Sequence, residues 1–356
     1  MWYQTKITEL LGIKYPILSG PMGGGLSSTD LVALVSNAGG LGGYGAYTLS
    51  PEQLQEVGKE LKTKTDKPFN INLWVNDTDQ SLKSYTPEQF DKVKTLFKPY
   101  FDELGVQMPE ISIDIPSKFE KQVEVLFDIR PAVFSFVFGI PSKEILDECR
   151  KLKIKTVGAA TTIEEALALE AAGVDAIAAA GFEAGGHRPS FLKPAQDSLY
   201  GTFSLIQLLA QKVKTPLIAA GGIADGKGIA AALTLGADAA QIGTAFLATK
   251  ESNATALHRE MLFSKQAEYS VLTKSFTGRL GRGISSKLAH EIPFKQDVAP
   301  FPLQSQFLSP LRAAAIAQGK QDMFTFWSGQ IAPILKHTSA AELMNALISE
   351  TSAILR

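Results

Sequence analysis

A histidine directly behind a run of glycines is where this chain concentrates its chemistry: Gly181-Phe182-Glu183-Ala184-Gly185-Gly186-His187-Arg188-Pro189. Glycine lets backbone approach a ligand closely or take a positive φ. Imidazole is the side chain whose ordinary pKa lies nearest physiological pH. The stretch follows Val174–Ala180, an apolar run that reads as a short buried strand. A rigid strand thus delivers one titratable ring on a pliable hinge, as active-site loops commonly do. The chain has only four histidines, which makes His187 the candidate acid–base group.

Two more stretches suit an anion. Ala219-Ala220-Gly221-Gly222 and Gln241-Ile242-Gly243-Thr244 each end an apolar run in glycine and lead toward a helix. Free backbone N–H groups at such turns, with a helix dipole behind them, bind phosphate. One pair alone would serve equally as a tight turn; two at neighbouring strand ends select phosphate. Pro21-Met22-Gly23-Gly24-Gly25 closes the first apolar run, and Asn72 shares a strand face with Asn70.

The elements that must position these residues repeat a rhythm of strand, loop, capped helix and glycine stop. Strands are predicted at Tyr15–Gly20, Gly40–Tyr44, Phe69–Val75, Ala132–Phe138, Lys155–Ala159, Asp175–Ala179, Pro216–Ala220 and Ala237–Ile242. Helices between them open at Ser28, Ser50, Thr86, Ser142, Thr162 and Asp225, all residues that cap a helix N-terminus well. Gly173-Val174-Asp175-Ala176 and Gly236-Ala237-Asp238-Ala239 echo one another at equivalent points.

Eight alternations predict an α/β fold, a parallel (β/α)₈ TIM barrel, with its active site at the C-terminal strand ends. All the candidate stretches lie at such ends, the glycine pairs at strands seven and eight, where barrels commonly hold phosphate. Past Thr249 the rhythm stops. Residues 251–331 are expected to form a late, mostly helical cap, with helices at Ser252–Ser264, Ser309–Gln318 and Gln321–Trp327. Residues 1–250 and 332–356 would make the barrel, closed by a last helix over Ala340–Leu355.

Composition narrows the function. Lys and Arg number 35 against 36 Asp and Glu, a net charge of -1 with no basic block, which argues against nucleic acid and anionic membrane as partners. No apolar run nears the ~20 residues that span a bilayer, and the first residues do not read as a signal peptide. The expected location is cytoplasmic. A single cysteine, Cys149, on an amphipathic segment, reads as a packed thiol, so no disulfide and no cysteine-rich metal site is expected.

Taken together, Pro21-Met22-Gly23-Gly24, Glu183–Arg188, Ala219–Ile223, Gln241–Phe246, Lys274–Gly283 and Trp327-Ser328-Gly329-Gln330 resemble the nitronate monooxygenase family, formerly 2-nitropropane dioxygenases, across almost the whole chain. That resemblance implies an FMN-dependent barrel oxidising alkyl nitronates with O2. It implies that Met22 and Gly23 face the flavin ring and Asn72 bonds its polar edge. Gly185, Gly221, Gly222, Gln241, Ile242, Gly243 and Thr244 would hold the phosphate and neighbouring atoms. His187 would lie over the flavin, orient the anionic substrate and act as base for a neutral nitroalkane. The partners implied are a small nitronate or nitroalkane and O2, for a monomer or homodimer. One departure is Ala180, where the family commonly has a glutamine; an alanine cannot make that polar contact with the flavin.

Other residues carry plainer expectations. His258, His290 and His337 read as surface or capping groups, and Glu183 as a loop brace or salt-bridge partner of Arg188. Lys274, Arg279 and Arg282 form a basic patch that either closes over an anion or is solvated, and Phe134, Phe136 and Phe138 alternate as core. Two other functions fit the same pattern. One is an NAD(P)H-dependent flavin reductase of a quinone or enoyl thioester. The other is a flavin-free barrel binding a sugar phosphate or nucleotide, disfavoured because a cysteine nucleophile is lacking at a strand end.

Overall fold

Eight parallel strands alternate with helices as the rhythm predicts, in a computed structural model that describes residues 1–293 and 296–355. The strands are β1 (Ile17–Ser19), β2 (Gly42–Gly45), β3 (Phe69–Trp74), β4 (Val133–Val137), β5 (Lys155–Ala160), β6 (Ala176–Ala180), β8 (Leu217–Ala220) and β9 (Ala239–Ile242), in the order β1-β9-β8-β6-β5-β4-β3-β2. The two ends meet: the Ser19 amide donates to the Leu41 carbonyl, and the Leu41 amide to that of Ile17, both at 3.0 Å. The sheet therefore closes as a (β/α)₈ barrel.

Local chemistry explains the elements. The side chains of Ser28, Ser50, Thr86, Ser142, Thr162 and Asp225 each accept a hydrogen bond from an amide in the first turn of their helices. The echoed aspartates stitch strand starts to their neighbours. Asp175 accepts from the Thr156 amide at 2.9 Å and Asp238 from the Leu217 amide at 3.0 Å. The short helix Lys6–Leu11 plugs the barrel floor, with Ile7 and Leu11 packed on Leu18, Val133, Val157 and Ile218. The last helix, Ala340–Ile354, packs on Gly226–Thr234, where a Cβ on Gly226 would lie 2.4 Å from that of Glu350.

The late segment is mostly helical, as expected, with one addition. β10 (Ser270–Thr273) and β11 (Gly281–Ile284) form an antiparallel hairpin, and β7 (Gly186–His187) joins its edge. The expected helix Gln321–Trp327 is helical only over Gln321–Met323; beyond it the chain is extended, and Trp327 bridges Gly283. A second apolar cluster packs the helix Pro87–Leu104, through Phe90, Phe97 and Phe101, against Phe307 and Leu311. Of the segment expected as the cap, Phe294 and Lys295 lie outside the described residues, as does Arg356 after the last helix. Among the described residues no helix is long and apolar enough to cross a membrane.

Candidate active site

Small side chains end the barrel strands, and that leaves a hollow. Ala159 on β5, Ala178 and Ala180 on β6 and Ala220 on β8 line a cavity of about 240 Å³ at the C-terminal strand ends. Met22 and Gly23 line one wall, Asn72 another, and Gly185, Gly221, Gly222, Gln241, Gly243 and Thr244 the far side. His187 borders the same space.

Ile242 is the exception among the candidates. Its side chain is fully buried in the core outside the strands, because residues on a strand alternate faces and Gln241 takes the inward one. Its carbonyl accepts from the Gly20 amide at 2.8 Å. Ile242 anchors the loop and does not face the cavity.

The far side offers unpaired donors. Among the described residues, no hydrogen bond within the protein uses the amide N–H of Gly222, Gly243 or Thr244. Gly222 holds φ at 70°, which glycine tolerates best. A Cβ on Gly243 would meet nothing within 4 Å, so its open side is cavity. Thr244 Oγ1 is committed elsewhere, accepting from the Gly329 amide at 2.9 Å. Such a cluster of amides at a strand end is chemically fitted to a phosphate. On the opposite wall, Asn72 donates to Ser135 Oγ at 2.9 Å, which orients its amide.

The loop around His187 is clasped by the late segment. Gly281 pairs with His187 and Arg282 with Gly186, while the Arg188 amide donates to the Leu280 carbonyl at 2.8 Å. Gly185 is a glycine for close approach to protein: an added Cβ would lie 2.5 Å from Gly329 N. Arg188 is buried and donates to the carbonyls of Ser198 and Ala180. Glu183 braces the loop without pairing with Arg188, accepting from the Thr202 amide at 2.9 Å and from Thr202 Oγ1 at 3.0 Å. That carboxylate caps a helix whose own N-cap, Gly201, has no side chain to do so.

An aromatic wall surrounds the histidine. Its ring centroid lies 4.9 Å from Trp327, 5.2 Å from Trp74 and 6.2 Å from Phe301, and its Nε2 is 2.8 Å from Thr277 Oγ1. Tyr47 stacks on Trp74 at 3.6 Å. Enclosure by these groups, with the Arg279 guanidinium nearby, lowers the imidazole pKa to about 3. The ring is neutral at physiological pH, and it borders the cavity.

Of the basic patch, Lys274 is half-exposed, whereas the two arginines are neither solvated nor over the anion site. Arg279 is buried, paired with Asp79 at 2.8 Å and stacked 4.1 Å from Phe138. Arg282 is also buried and donates to the Phe182 carbonyl at 2.9 Å. His258 too is buried rather than superficial, and donates from Nε2 to the Trp327 carbonyl at 2.9 Å. Phe134 and Phe136 are core, but at Phe138 the strand has ended, φ is 61°, and the ring turns to the cavity. Cys149 is a packed thiol, its pKa pushed up to about 12 by burial.

This arrangement joins a neutral buried base to a set of free amides at a barrel mouth, and its residues match a known profile. The profile described as nitronate monooxygenase covers residues 4–350. The chain belongs to the nitronate monooxygenase family. It is 37% identical over 358 residues to a probable nitronate monooxygenase of Staphylococcus aureus (strain Newman), spanning 100% of this chain and 99% of the relative. A nitroalkane oxidase from Streptomyces ansochromogenes superposes with a TM-score of 0.89 at 32% identity over 98% of both chains. FabK from Thermotoga maritima is less similar, with a TM-score of 0.75 at 28% identity over 99% of this chain and 97% of that one. Nitronate monooxygenases are flavin-dependent oxidoreductases that oxidise nitronates.

Reading the strand ends alone leaves Tyr47, Trp74 and Trp327 unassigned. Trp74 lies one residue before the end of a predicted strand and Tyr47 closely follows another, so position is a usable signal for both. Thr277 lies within the Lys274–Gly283 stretch that carries the resemblance, but nothing marks it there, and Phe301 carries no signal, because only the fold of the late segment brings them to His187.

Proposed function

We propose that this chain oxidises small alkyl nitronates, such as propionate 3-nitronate, with O2 and an FMN cofactor, and that His187 is its acid–base residue. The observation that carries the reading is the meeting, in one cavity, of the unpaired amides of Gly222, Gly243 and Thr244 with the neutral ring of His187. A single cluster of free amides suits the one terminal phosphate of a mononucleotide. Met22, Gly23 and Asn72 would flank the ring system, and Gly185, Gly221 and Gln241 would lie along the chain between ring and phosphate. When bound, FMN supplies the redox chemistry, drawing electrons from the substrate carbon and returning them to oxygen.

The protein's own tasks are then few. A nitronate is already deprotonated at carbon, so the site has only to hold it against the flavin and exclude water, a task for the rings of Trp74 and Trp327 that line the cavity. A neutral nitroalkane must first lose its α-proton, and His187 is the neutral imidazole in reach of the cavity to take it. An anion in the cavity raises the affinity of that ring for a proton, because it offsets the nearby Arg279 cation. Ala180 lines the cavity without the side-chain amide the family commonly places there, so polar side-chain contacts to the flavin would fall to Asn72 and Gln241.

Two measurements test this reading. The purified holoprotein should consume oxygen with propionate 3-nitronate in the absence of any nicotinamide; no uptake would overturn the activity. Its kcat/KM for preformed nitronate should stay flat from about pH 5.5 to 8, since that ratio reports the free enzyme's groups and His187 stays neutral there with a pKa of about 3. An inflection near the ordinary histidine value would mean that the ring is not desolvated as described. The sign for stability follows as well. Between the ordinary value of 6.5 and about 3, the unfolded chain binds a proton that the native ring refuses, so stability falls as pH falls through that window.

A further inference from the structure

We propose that Thr277 is a positioning residue that sets the tautomer of His187, so that Nε2 carries the proton and Nδ1 turns its lone pair to the cavity. The proposal rests on the reading of His187 as the acid–base group and adds which of its atoms does the work.

Thr277 sits in the turn Lys274–Arg279 that joins β10 to β11. Its Oγ1 is 2.8 Å from His187 Nε2 and 3.2 Å from the Arg279 carbonyl oxygen. A carbonyl only accepts, and a hydroxyl has one hydrogen to give. Donation to Arg279 therefore leaves the threonine oxygen as acceptor, and Nε2 must donate to it. A neutral imidazole has one N–H, so Nδ1 is left with a lone pair.

Two further observations agree. Nδ1 has no hydrogen-bond partner among the described residues, yet it is not among the buried unpartnered atoms, which are Gln122 Oε1, Arg279 Nη1 and Thr325 Oγ1. It therefore has accessible surface, and the cavity is the space that His187 borders. The three rings around the imidazole restrict its rotation but give Nε2 no acceptor, since an indole N–H only donates. Choice of tautomer falls to Thr277.

The turn is built to hold that hydroxyl still. Gly278 has φ of 88°, and a Cβ there would lie 2.4 Å from the Ala299 carbonyl oxygen, so the turn is pressed against the chain behind it. Gln304 Nε2 donates to the Ser275 carbonyl at 2.7 Å, and Arg279 is fixed by Asp79 and the Asn76 carbonyl. The hairpin that carries the turn also pairs directly with His187 through Gly281. One element thus sets both the backbone and the proton of the catalytic ring.

The test is the imidazole nitrogen NMR spectrum of the holoprotein, with His187 assigned by the signal that His187→Asn removes from the four histidines. Wild type should give one neutral tautomer with the proton on Nε2. Thr277→Val keeps the volume and removes the acceptor, and should shift the population toward Nδ1–H. Thr277→Ser should restore the wild-type signal. In turnover, Thr277→Val should slow neutral nitroalkanes about tenfold and preformed nitronates less than about twofold. A wild-type proton on Nδ1, or an unchanged tautomer in Thr277→Val, overturns the proposal. The nitrogen spectrum needs no substrate, so absence of nitronate turnover alongside a tautomer that follows Thr277 would refute the proposed function and leave this role standing.

Discussion

Replacing His187 with asparagine should leave a folded, yellow protein that still oxidises preformed nitronates but turns over neutral nitroalkanes about 10²–10⁴-fold more slowly, the range expected for loss of a positioned general base. The two substrates differ only in one α-proton, so the comparison isolates its removal. His187 makes one side-chain hydrogen bond, to Thr277, and is uncharged, so its loss strands no buried ion. It is not among the unpaired amides assigned to the cofactor, and flavin content should not change. Steady-state oxygen uptake with a nitroalkane and its pre-ionised form, on the same preparation, checks the expectation. Equal losses on both would mean that the ring only orients the substrate.

The second large effect should come from Gly243→Asp. Gly243 has φ of -98°, open to any residue, and a Cβ there meets nothing within 4 Å. The substitution therefore places no strain on the fold and sends its carboxylate into the cavity beside the free amides of Gly222 and Thr244. A phosphate would lose charge-assisted hydrogen bonds and gain a like charge, together about 3 kcal/mol, or roughly 100-fold in affinity. The expected product is a colourless protein with an unchanged circular dichroism spectrum and the melting temperature of flavin-free wild type. Gly243→Ala, which adds bulk without charge, should lose less. Full flavin content in Gly243→Asp would move the phosphate to another part of the cavity.

What the sequence disclosed follows from range. Helix caps such as Ser50 and Thr162, and the glycine stop at Gly173, act within one turn, so their residue types suffice. The strand ends that meet at the cavity follow from the barrel's eightfold alternation, and Asn72, Gly222 and Gly243 lie where it put them. Alternation would also have separated Gln241 from Ile242, since adjacent strand residues face opposite ways. The late segment was not legible in the same way. Gly281–Ile284 is rich in glycine and arginine and makes a strand because Ser270–Thr273 pairs along one side of it and Gly186–His187 along the other, with Trp327 bridged to Gly283. Arg279 and Arg282 read in sequence as closing over an anion or as solvated, because burial of a guanidinium needs partners far along the chain, here Asp79 and the Phe182 carbonyl. Gly185 lines the cavity, and the reason it must be glycine is out of reach of sequence: the backbone of Ser328 and Gly329 presses against it.

The central claim is that electrons enter this site from a nitronate and leave to oxygen. One rapid-mixing experiment decides it: the flavin absorbance of anaerobic holoprotein is followed after addition of propionate 3-nitronate in one syringe and NAD(P)H in another, with air then admitted. The expected result is bleaching by the nitronate within the time of one turnover, little or none by NAD(P)H, and return of colour with oxygen. Rapid bleaching by NAD(P)H with no response to the nitronate would contradict the claim, and would place this chain with the flavin reductases that share its fold.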